Sequence, residues 1–409
     1  MKHKFKVGLL AQVILSILLG ILCGSFFPAP LVRVFLTFNG IFSQFLGFII
    51  PLIILGLVTV AIADIGKTAG RMVLITVLIA YGSTVFAGLL SYFTGTAVFP
   101  SMIDSRTVYT TPEDAVKLTE FFVIEIPPAL GVMTALVLSF VLGLGLAAIR
   151  SEHLKQVARD FKDIIEMTIS SVIIRVLPLY IFGIFLNMSY IGEVAVILNV
   201  FVKIIVVIFI IHIFLLLLQY GVAGAIVRKN PLVLLKNMMP AYFTALGTQS
   251  SAATIPVTLE RTMKNGVTGD VARFVVPLCA TIHLAGSTLK IVACALAIMI
   301  MNGMPYDVWL FLGFILMLGI TMVAAPGVPG GAIMASLGVL HSILGFGTEM
   351  QALMIALYIA MDSFGTACNV TGDGAIALVV DRISEKDKKN AGRENVPESI
   401  PEEVRPSTK

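Results

Sequence analysis

Long apolar runs separated by short polar joints fill the first half of the chain. One apolar run extends from about Val7 to Phe27. Further apolar runs follow at about 40–63, 72–98, 124–149, 164–190 and 195–227. A helix needs about 20 consecutive apolar residues to cross the hydrocarbon core of a bilayer. The pattern therefore predicts six transmembrane helices, with the N-terminal run as a retained first span rather than a cleaved signal peptide.

From about Pro231 onward, segments rich in Ser, Thr, Gly and Pro interrupt the apolar ones. The two clearest interruptions are residues 247–256 and 326–331. Backbone that is not helical survives at membrane depth only where protein or a water-filled cavity satisfies its polar groups. We therefore predict that each interruption is the tip of a re-entrant helical hairpin. Two such hairpins in one half of a bundle indicate a binding site between them.

Two more apolar runs, at about 271–302 and 350–381, complete the predicted architecture. The fold class is an all-α polytopic membrane protein with eight transmembrane helices and two re-entrant helical hairpins. The chain ends in a charged segment, 384–409, for which the composition predicts a disordered cytoplasmic tail.

The composition agrees with a membrane protein. Of the 409 residues, 58% are hydrophobic and 13% charged, and the mean hydropathy is +0.99. Soluble domains carry about 25% charged residues, so a soluble globular protein is excluded. The net charge of +4 comes from basic residues in loops and at the ends, which indicates topology rather than nucleic-acid binding. The four cysteines lie in apolar stretches without metal-ligand spacing, so we expect neither disulfides nor a structural metal.

Basic residues in alternate loops predict the orientation. One side carries Lys67, Arg71, Arg150, Lys155, Arg159, Lys162, Arg228, Lys229 and Lys236. The other side carries Arg33, Arg106 and Lys117. The excess of positive charge places the first group, and both termini, in the cytoplasm of a cell with an inner (plasma) membrane of prokaryotic type.

Four polar residues share one face of the last predicted span. Asp362, Thr366, Asn369 and Asp373 are spaced i, i+4, i+7 and i+11. Ionisable groups at this depth usually belong to a substrate or ion route. The alternative interpretation is a hydrogen-bonded seam between helices.

The seventh span carries a basic counterpart. His283, Ser287 and Lys290 have the spacing of one helical face. Singly, the histidine could be a packing residue and the lysine could extend to the membrane surface. Opposite Asp362 and Asp373, they are better interpreted as groups that neutralise buried carboxylates.

Three ordered motifs resemble the dicarboxylate/amino acid:cation symporter family, the glutamate transporter homologues. Residues 250–258 resemble the family's serine-rich tip followed by T-L-P-V-T, and 327–330 match its G-[IV]-P-G tip. Residues 362–373 follow its D-x-x-R-T-x-x-N-V-x-G-D pattern except at the arginine. The resemblance implies a homotrimer in which each protomer moves a transport domain against a static scaffold, as an elevator.

The resemblance also implies a division of the chain. Residues 1–70 would form scaffold helices 1 and 2, and residues 71–123 would form helix 3 and an extracellular loop on the side of the transport domain. Residues 124–227 would form helices 4 and 5 of the scaffold and helix 6 of the transport domain. Residues 228–383 would form the transport core, with both hairpins and helices 7 and 8, and residues 384–409 the tail.

By resemblance, the substrate lies between the hairpin tips. Asp362 would hold its ammonium, Thr366 and Asn369 its polar groups, and Ser250 and Ser251 its carboxylate. The remaining residues of the implied substrate site are Gln249, Val328, Gly330 and Gly365.

Departures from the family motifs restrict the class of substrate that we expect to bind. Gly365 replaces the arginine that holds an acidic side chain, and Gln249 stands where some members have a hairpin arginine. Without a guanidinium, an acidic side chain has no bidentate partner. We expect a substrate without an acidic side chain, a neutral amino acid, which Gly365 leaves room to accommodate.

The family's sodium signature N-M-D-G-T reads His-Leu-Ala-Gly-Ser at 283–287, so an amide and a carboxylate are missing. Sodium favours hard oxygen ligands, so the change argues against sodium coupling. Residual candidate ligands are Asn369, Asp373, Ser83 and Thr84, and we predict no metal site.

The groups that replace the sodium ligands are Lys290, His283 and, beside them, Ser287. Lys290 or His283 is either a permanent surrogate cation or exchanges a proton, which predicts proton coupling or uncoupled exchange. A salt bridge from Lys290 to Asp362 would occupy the carboxylate meant for the ammonium, and the substrate would then not need to be an amino acid. Whether Lys290 pairs with Asp362 or Asp373 stays open in the sequence.

The sequence also leaves other functions open. A sodium-coupled amino acid or dicarboxylate symporter, an anion channel and a substrate-binding membrane sensor are the alternatives. An enzyme is not expected, because Ser250, Ser251 and Ser287 have only His283 as a potential partner and lack a third group. The expected partners are a small-molecule substrate, the lipid bilayer and two further copies of the chain, with no cofactor and no nucleic acid.

Overall fold

A computed structural model describes residues 8–67, 71–103, 118–149, 151–192, 194–325 and 329–394. Within these ranges the chain forms fifteen α-helices and one π-helical turn, and no β-strand. The helices of the first half are α1 (Leu9–Gly24), α2 (Ala29–Lys67), α3 (Arg71–Met102), α4 (Val132–Ala148), α5 (Glu152–Thr168), α6 (Ile174–Tyr190) and α7 (Val194–Val227).

Three boundaries differ clearly from the predicted ones. Helix α2 begins at Ala29 instead of about residue 40. Helix α4 begins at Val132 instead of residue 124, because Pro127 and Pro128 in the preceding segment cannot continue a helical hydrogen-bond pattern. The charged stretch 150–163, predicted as a joint, lies largely in α5, which continues through the π-helical turn Ile169–Ile173 into α6.

The second half contains eight shorter or broken helices. They are α8 (Pro231–Thr248), α9 (Ser251–Lys264), α10 (Gly269–Ile282), α11 (Ala285–Met301), α12 (Val308–Val323), α13 (Gly331–Leu344), α14 (Thr348–Ala360) and α15 (Asp362–Glu394). The segments predicted as hairpins are the helix pairs α8/α9 and α12/α13.

Two predicted spans are interrupted in the structure. The run 271–302 is broken at His283 and Leu284, between α10 and α11. The run 350–381 is bent by 63° at Met361, between α14 and α15. Helix α15 continues to Glu394, so the start of the segment predicted to be disordered is helical, and the remainder lies outside the described residues.

The pair α8/α9 is closed at its base by asparagine side chains. Asn230 accepts the backbone N–H of Leu232 at 2.9 Å and so caps α8, with Pro231 as the first helical residue. Asn237 Nδ2 donates to Asn265 Oδ1 at 2.9 Å, and Lys229 Nζ donates to the Asn265 carbonyl at 2.7 Å. These bonds join the two ends of the pair and leave its tip, at Gln249 and Ser250, at the far end.

The helices pack in two groups. In the first group, α2 packs against α4, α5 and α6, and α1 packs against α6. In the second, α15 packs against α7 to α11, and α3 packs against α11. Helix α11 lies at the centre of the second group, because every residue from Ala285 to Met301 is buried. The groups meet where α12 and α13 contact α2, where α14 contacts α1 and α6, and at smaller contacts of α13 with α4 and of α6 with α7.

The outside of the molecule is apolar. Leu18, Leu74, Val141 and Val202, on four different helices, are each 60–62% exposed. Five described helical segments are long and apolar enough to cross a membrane, and the bent pair α14 and α15 would make a sixth. Helices α1 and α4, which we predicted as spans, are apolar but only 16 and 17 residues long. The described part of the chain thus has the surface and the helices of a membrane protein.

Candidate binding site between the two helix-pair tips

The tip of α8/α9 reaches the beginning of α15. Gln249 adopts the left-handed conformation, with φ 53°, and ends α8. Ser250 Oγ then accepts the backbone N–H of Ala253 at 3.3 Å and caps α9. The Gln249 side chain donates from Nε2 to Ser363 Oγ at 2.8 Å. Ser251 is buried in the first turn of α9, so three predicted tip residues lie together.

The tip of α12/α13 reaches the same place. Gly330 has φ +75°, a conformation that favours glycine, and directly precedes α13 as its N-cap. Its backbone N–H donates to Asp362 Oδ2 at 2.8 Å. Val328, which we predicted in the substrate site, lies outside the described residues. The first two residues of α15 therefore receive one hydrogen bond from each tip.

A buried ion pair lies at this meeting point. Lys290 Nζ donates to Asp362 Oδ1 at 2.9 Å, and the lysine side chain has no exposed surface. The same ammonium lies 3.4 Å from the Met361 carbonyl oxygen and 3.4 Å from the centroid of the Tyr358 ring. The structure thus pairs Lys290 with Asp362, the alternative in which the carboxylate expected to hold the substrate's ammonium is already occupied.

Gly365 is the reason that the lysine fits. A Cβ atom at this position would lie 2.7 Å from Lys290 Nζ and 2.8 Å from its Cε. The space beside Gly365, which we expected to be open for substrate, is therefore filled by the Lys290 side chain in this structure. The present position of the Lys290 ammonium therefore depends on the absence of a Cβ at 365.

Asn369 stabilises the beginning of α11. Its Oδ1 accepts the backbone N–H groups of Gly286 at 2.8 Å and Ser287 at 3.3 Å, and its Nδ2 donates to Ser287 Oγ at 3.0 Å. Tyr358 donates its hydroxyl to the same Ser287 Oγ at 3.1 Å. Since the first N–H groups of a helix have no partner within it, this amide acts as a cap supplied by another helix. Thr366 is buried nearby on α15.

A second acid–base pair lies further along α15. His283 Nδ1 is 2.8 Å from Asp373 Oδ1, and both side chains are buried. His283 Nε2 is 3.1 Å from Ser83 Oγ, which also accepts a hydrogen bond from Gln219 Nε2 at 3.0 Å. The prediction that His283 and Lys290 share one helical face is wrong, because the chain breaks between them and each meets a different aspartate.

The four residual sodium candidates all have protein partners. Ser83 and Asp373 contact His283, and Asn369 caps α11. Thr84 donates its hydroxyl to the Ala80 carbonyl of its own helix at 2.9 Å. An imidazole thus lies between Ser83 and Asp373, at the position where the family signature has an amide.

Three residues of this region were missed in the sequence. Tyr358 contacts the Lys290 ammonium, Gln219 extends the His283 network, and His212 Nε2 lies 2.9 Å from the Gly286 carbonyl oxygen. Gln219 and His212 could have been found, since polar residues are rare in an apolar span such as 195–227. Tyr358 carries no such signal.

Comparisons with known proteins agree with the motifs. A model of the sodium:dicarboxylate symporter family matches residues 9–383. Excitatory amino acid transporter 5 of Homo sapiens is 34% identical over 187 residues, which are 44% of this chain and 32% of that protein. Excitatory amino acid transporter 1 of Ambystoma tigrinum is 38% identical over 165 residues, 39% of this chain and 30% of that protein.

The matched segments span about a third of the length of these relatives. The family model, in contrast, extends over nearly the whole chain and confirms the resemblance given by the motifs at 250–258, 327–330 and 362–373. The chain belongs to the sodium:dicarboxylate symporter family, whose members are membrane transporters rather than enzymes.

Proposed function

We propose that this chain is a secondary transporter of a small amino acid without an acidic side chain, and that it works without classical sodium coupling. The observation that carries the proposal is the Lys290–Asp362 ion pair at the point where both tips meet. Buried charges in a membrane protein are costly and usually belong to a substrate or ion route. Two broken helices that converge on such a pair fit a binding site.

The substrate assignment rests on the groups that face this point. Gly365 supplies no guanidinium, and the Gln249 amide is engaged with Ser363. Lys290 is the one cationic side chain paired with Asp362 in the described residues, so a substrate with two carboxylates would leave one of them without a cation. These features favour a neutral amino acid over glutamate or a dicarboxylate.

The elevator mechanism is supported by the two packing groups. Helices α1, α2 and α4 to α6 would form the scaffold, and α3 and α7 to α15 the transport domain. In this proposal α8/α9 and α12/α13 are re-entrant hairpins, the remaining helices make eight spans, and three copies assemble through their scaffolds. The protein would lie in the plasma membrane with both termini in the cytoplasm.

The coupling proposal rests on the two basic partners. Lys290 and His283 place nitrogen atoms against Asp362 and Asp373, where bound cations would otherwise balance the carboxylates. Transport would then be proton-coupled or an uncoupled exchange, and sodium would have no effect.

The test is uptake of a radiolabelled amino-acid panel into proteoliposomes, with sodium and proton gradients imposed separately. We expect uptake of neutral amino acids, and saturable counterflow, in the absence of sodium. Uptake that requires sodium would favour the sodium-coupled symporter. Substrate-dependent current without counterflow would favour a channel, and binding without any uptake would favour a membrane sensor.

A further inference from the structure

The Lys290–Asp362 pair is electrically balanced and its hydrogen bonds are divided between two oxygens. Asp362 Oδ1 accepts the Lys290 ammonium at 2.9 Å, and Oδ2 accepts the Gly330 N–H at 2.8 Å. Both charged side chains are almost completely buried. Asp373, further along this helix, is paired with His283. The charged groups where the tips meet are therefore one ammonium, of Lys290, and one carboxylate, of Asp362.

This balance restricts what can bind. A singly charged amine at Asp362 would place two ammonium groups on one buried carboxylate. A singly charged carboxylate at Lys290 would leave Asp362 without its counter-charge. Either result buries an uncompensated charge, which costs about 3–5 kcal/mol when it is created by removing one partner of a buried pair.

A zwitterion avoids both costs. We propose, on the basis of the function proposed above, that a neutral α-amino acid inserts between Lys290 and Asp362, with its carboxylate on the lysine and its ammonium on the aspartate. Two ion pairs replace one, and the net charge of the site does not change. Lys290 is thus a carboxylate receptor and selects for zwitterions.

The hydrogen bonds of the pair are compatible with this insertion. The substrate's ammonium takes Oδ1, the oxygen that Lys290 now uses, so the hydrogen bond from Gly330 to Oδ2 can persist. The tip of α12/α13 then stays attached to α15 with or without substrate. Lys290 has a flexible four-carbon stem and needs to move its ammonium only by the width of the inserted groups.

The first experiment compares three small ligands on the purified wild-type protein in sodium-free buffer. L-alanine is a zwitterion, ethylamine is the cation that lacks its carboxylate, and propionate is the anion that lacks its ammonium. We expect L-alanine to raise the melting temperature and to be displaced by other neutral amino acids, and ethylamine and propionate to bind at least about tenfold more weakly. Equal binding of ethylamine or propionate would overturn the proposal.

The second experiment exchanges the charges. Lys290→Met leaves only the carboxylate, so ethylamine binding should increase while L-alanine binding weakens about ten- to a hundredfold. Asp362→Asn leaves only the ammonium, so propionate binding should increase instead. The double variant Lys290→Met/Asp362→Asn removes both charges and should bind neither ion. Lys203→Met, a change at an exposed lysine of α7, is the matched control and should bind all three ligands as the wild type does.

The outcomes separate this inference from the proposed function. If L-alanine is transported but Lys290→Met binds it with wild-type affinity, the role of Lys290 is wrong and the transport function remains. If the wild type transports no amino acid at all, the proposed function itself fails. The wild-type ligand comparison remains decisive even if a single variant does not fold.

Discussion

Two buried aspartates of α15, Asp362 and Asp373, are each paired with a basic residue, but the partners differ in kind. Asp362 pairs with a lysine on α11 at the point where two helix-pair tips meet. Asp373 pairs with His283, in the break between α10 and α11. A lysine ammonium is a point charge on a flexible stem, whereas an imidazole is rigid and hydrogen-bonds through two ring nitrogens.

The His283–Asp373 pair connects more helices than the Lys290–Asp362 pair does. Through Ser83 and Gln219, the His283–Asp373 pair joins α15 to α3 and α7. The Lys290–Asp362 pair has its additional contacts at a helix break and a tip, at Met361 and Gly330. Two equally buried pairs can therefore have different roles. The Asp373 pair fits a structural crosslink between helices, and the Asp362 pair fits an ion pair that a bound substrate can separate.

The largest expected effect is the loss of the imidazole. His283→Phe leaves the Asp373 carboxyl buried without its imidazole hydrogen-bond partner, and we expect the free energy of unfolding to fall by about 3 kcal/mol, because an unsatisfied buried acceptor costs about 1–3 kcal/mol and a charged one more. Lys290→Met should cost less, because Asp362 keeps the Gly330 N–H and lies beside the tips. Equilibrium unfolding in detergent micelles measures both.

The double variant His283→Phe/Asp373→Leu is the control for this comparison. Replacing both members of a buried pair by apolar groups is often neutral, so stability should return close to that of the wild type. A double variant as unstable as the single one would mean that packing at 283, rather than the unsatisfied Asp373 carboxyl, explains the loss.

A smaller effect is expected at Gly365. In Gly365→Ala the new Cβ would lie 2.7 Å from Lys290 Nζ, so the lysine must move away from Asp362. Overpacking of this kind costs about 1–3 kcal/mol, and L-alanine binding should weaken with it. Gly221→Ala on α7, where a Cβ meets nothing within 4 Å, is the matched control and should be neutral or slightly stabilising. Equal behaviour of the two variants would show that Lys290 has room to move.

The acidic face of α15 could be predicted because it depends on local periodicity alone. Asp362, Thr366, Asn369 and Asp373 do lie on one continuous helix. The tip at Gln249 and Ser250 was also predictable, since a cluster of Gly, Ser and Thr interrupts an apolar pattern. Both signals are contained within a few consecutive residues.

The two helix breaks could not be predicted in the same way. The break at His283 and Leu284 contains neither Gly nor Pro, and a continuous helix would place His283 and Lys290 on one face. The break is stabilised from outside, by the Asn369 amide that caps α11. Which base meets which acid follows from this cap and from the packing of α11 on α15, and both are tertiary contacts.

The smallest expected effect tests the crosslink directly. Ser83→Ala removes the hydroxyl between His283 and Gln219, and we expect a loss of about 1–2 kcal/mol in the free energy of unfolding. Thr84→Val is the matched control, since the Thr84 hydroxyl bonds only within its own helix at Ala80, and its effect should be smaller. If Ser83→Ala costs no more than Thr84→Val, the network does not hold α3 against α15. Asp373 and Asp362 would then differ only in the chemistry of their partners, because the structural role that separates them depends on this hydroxyl.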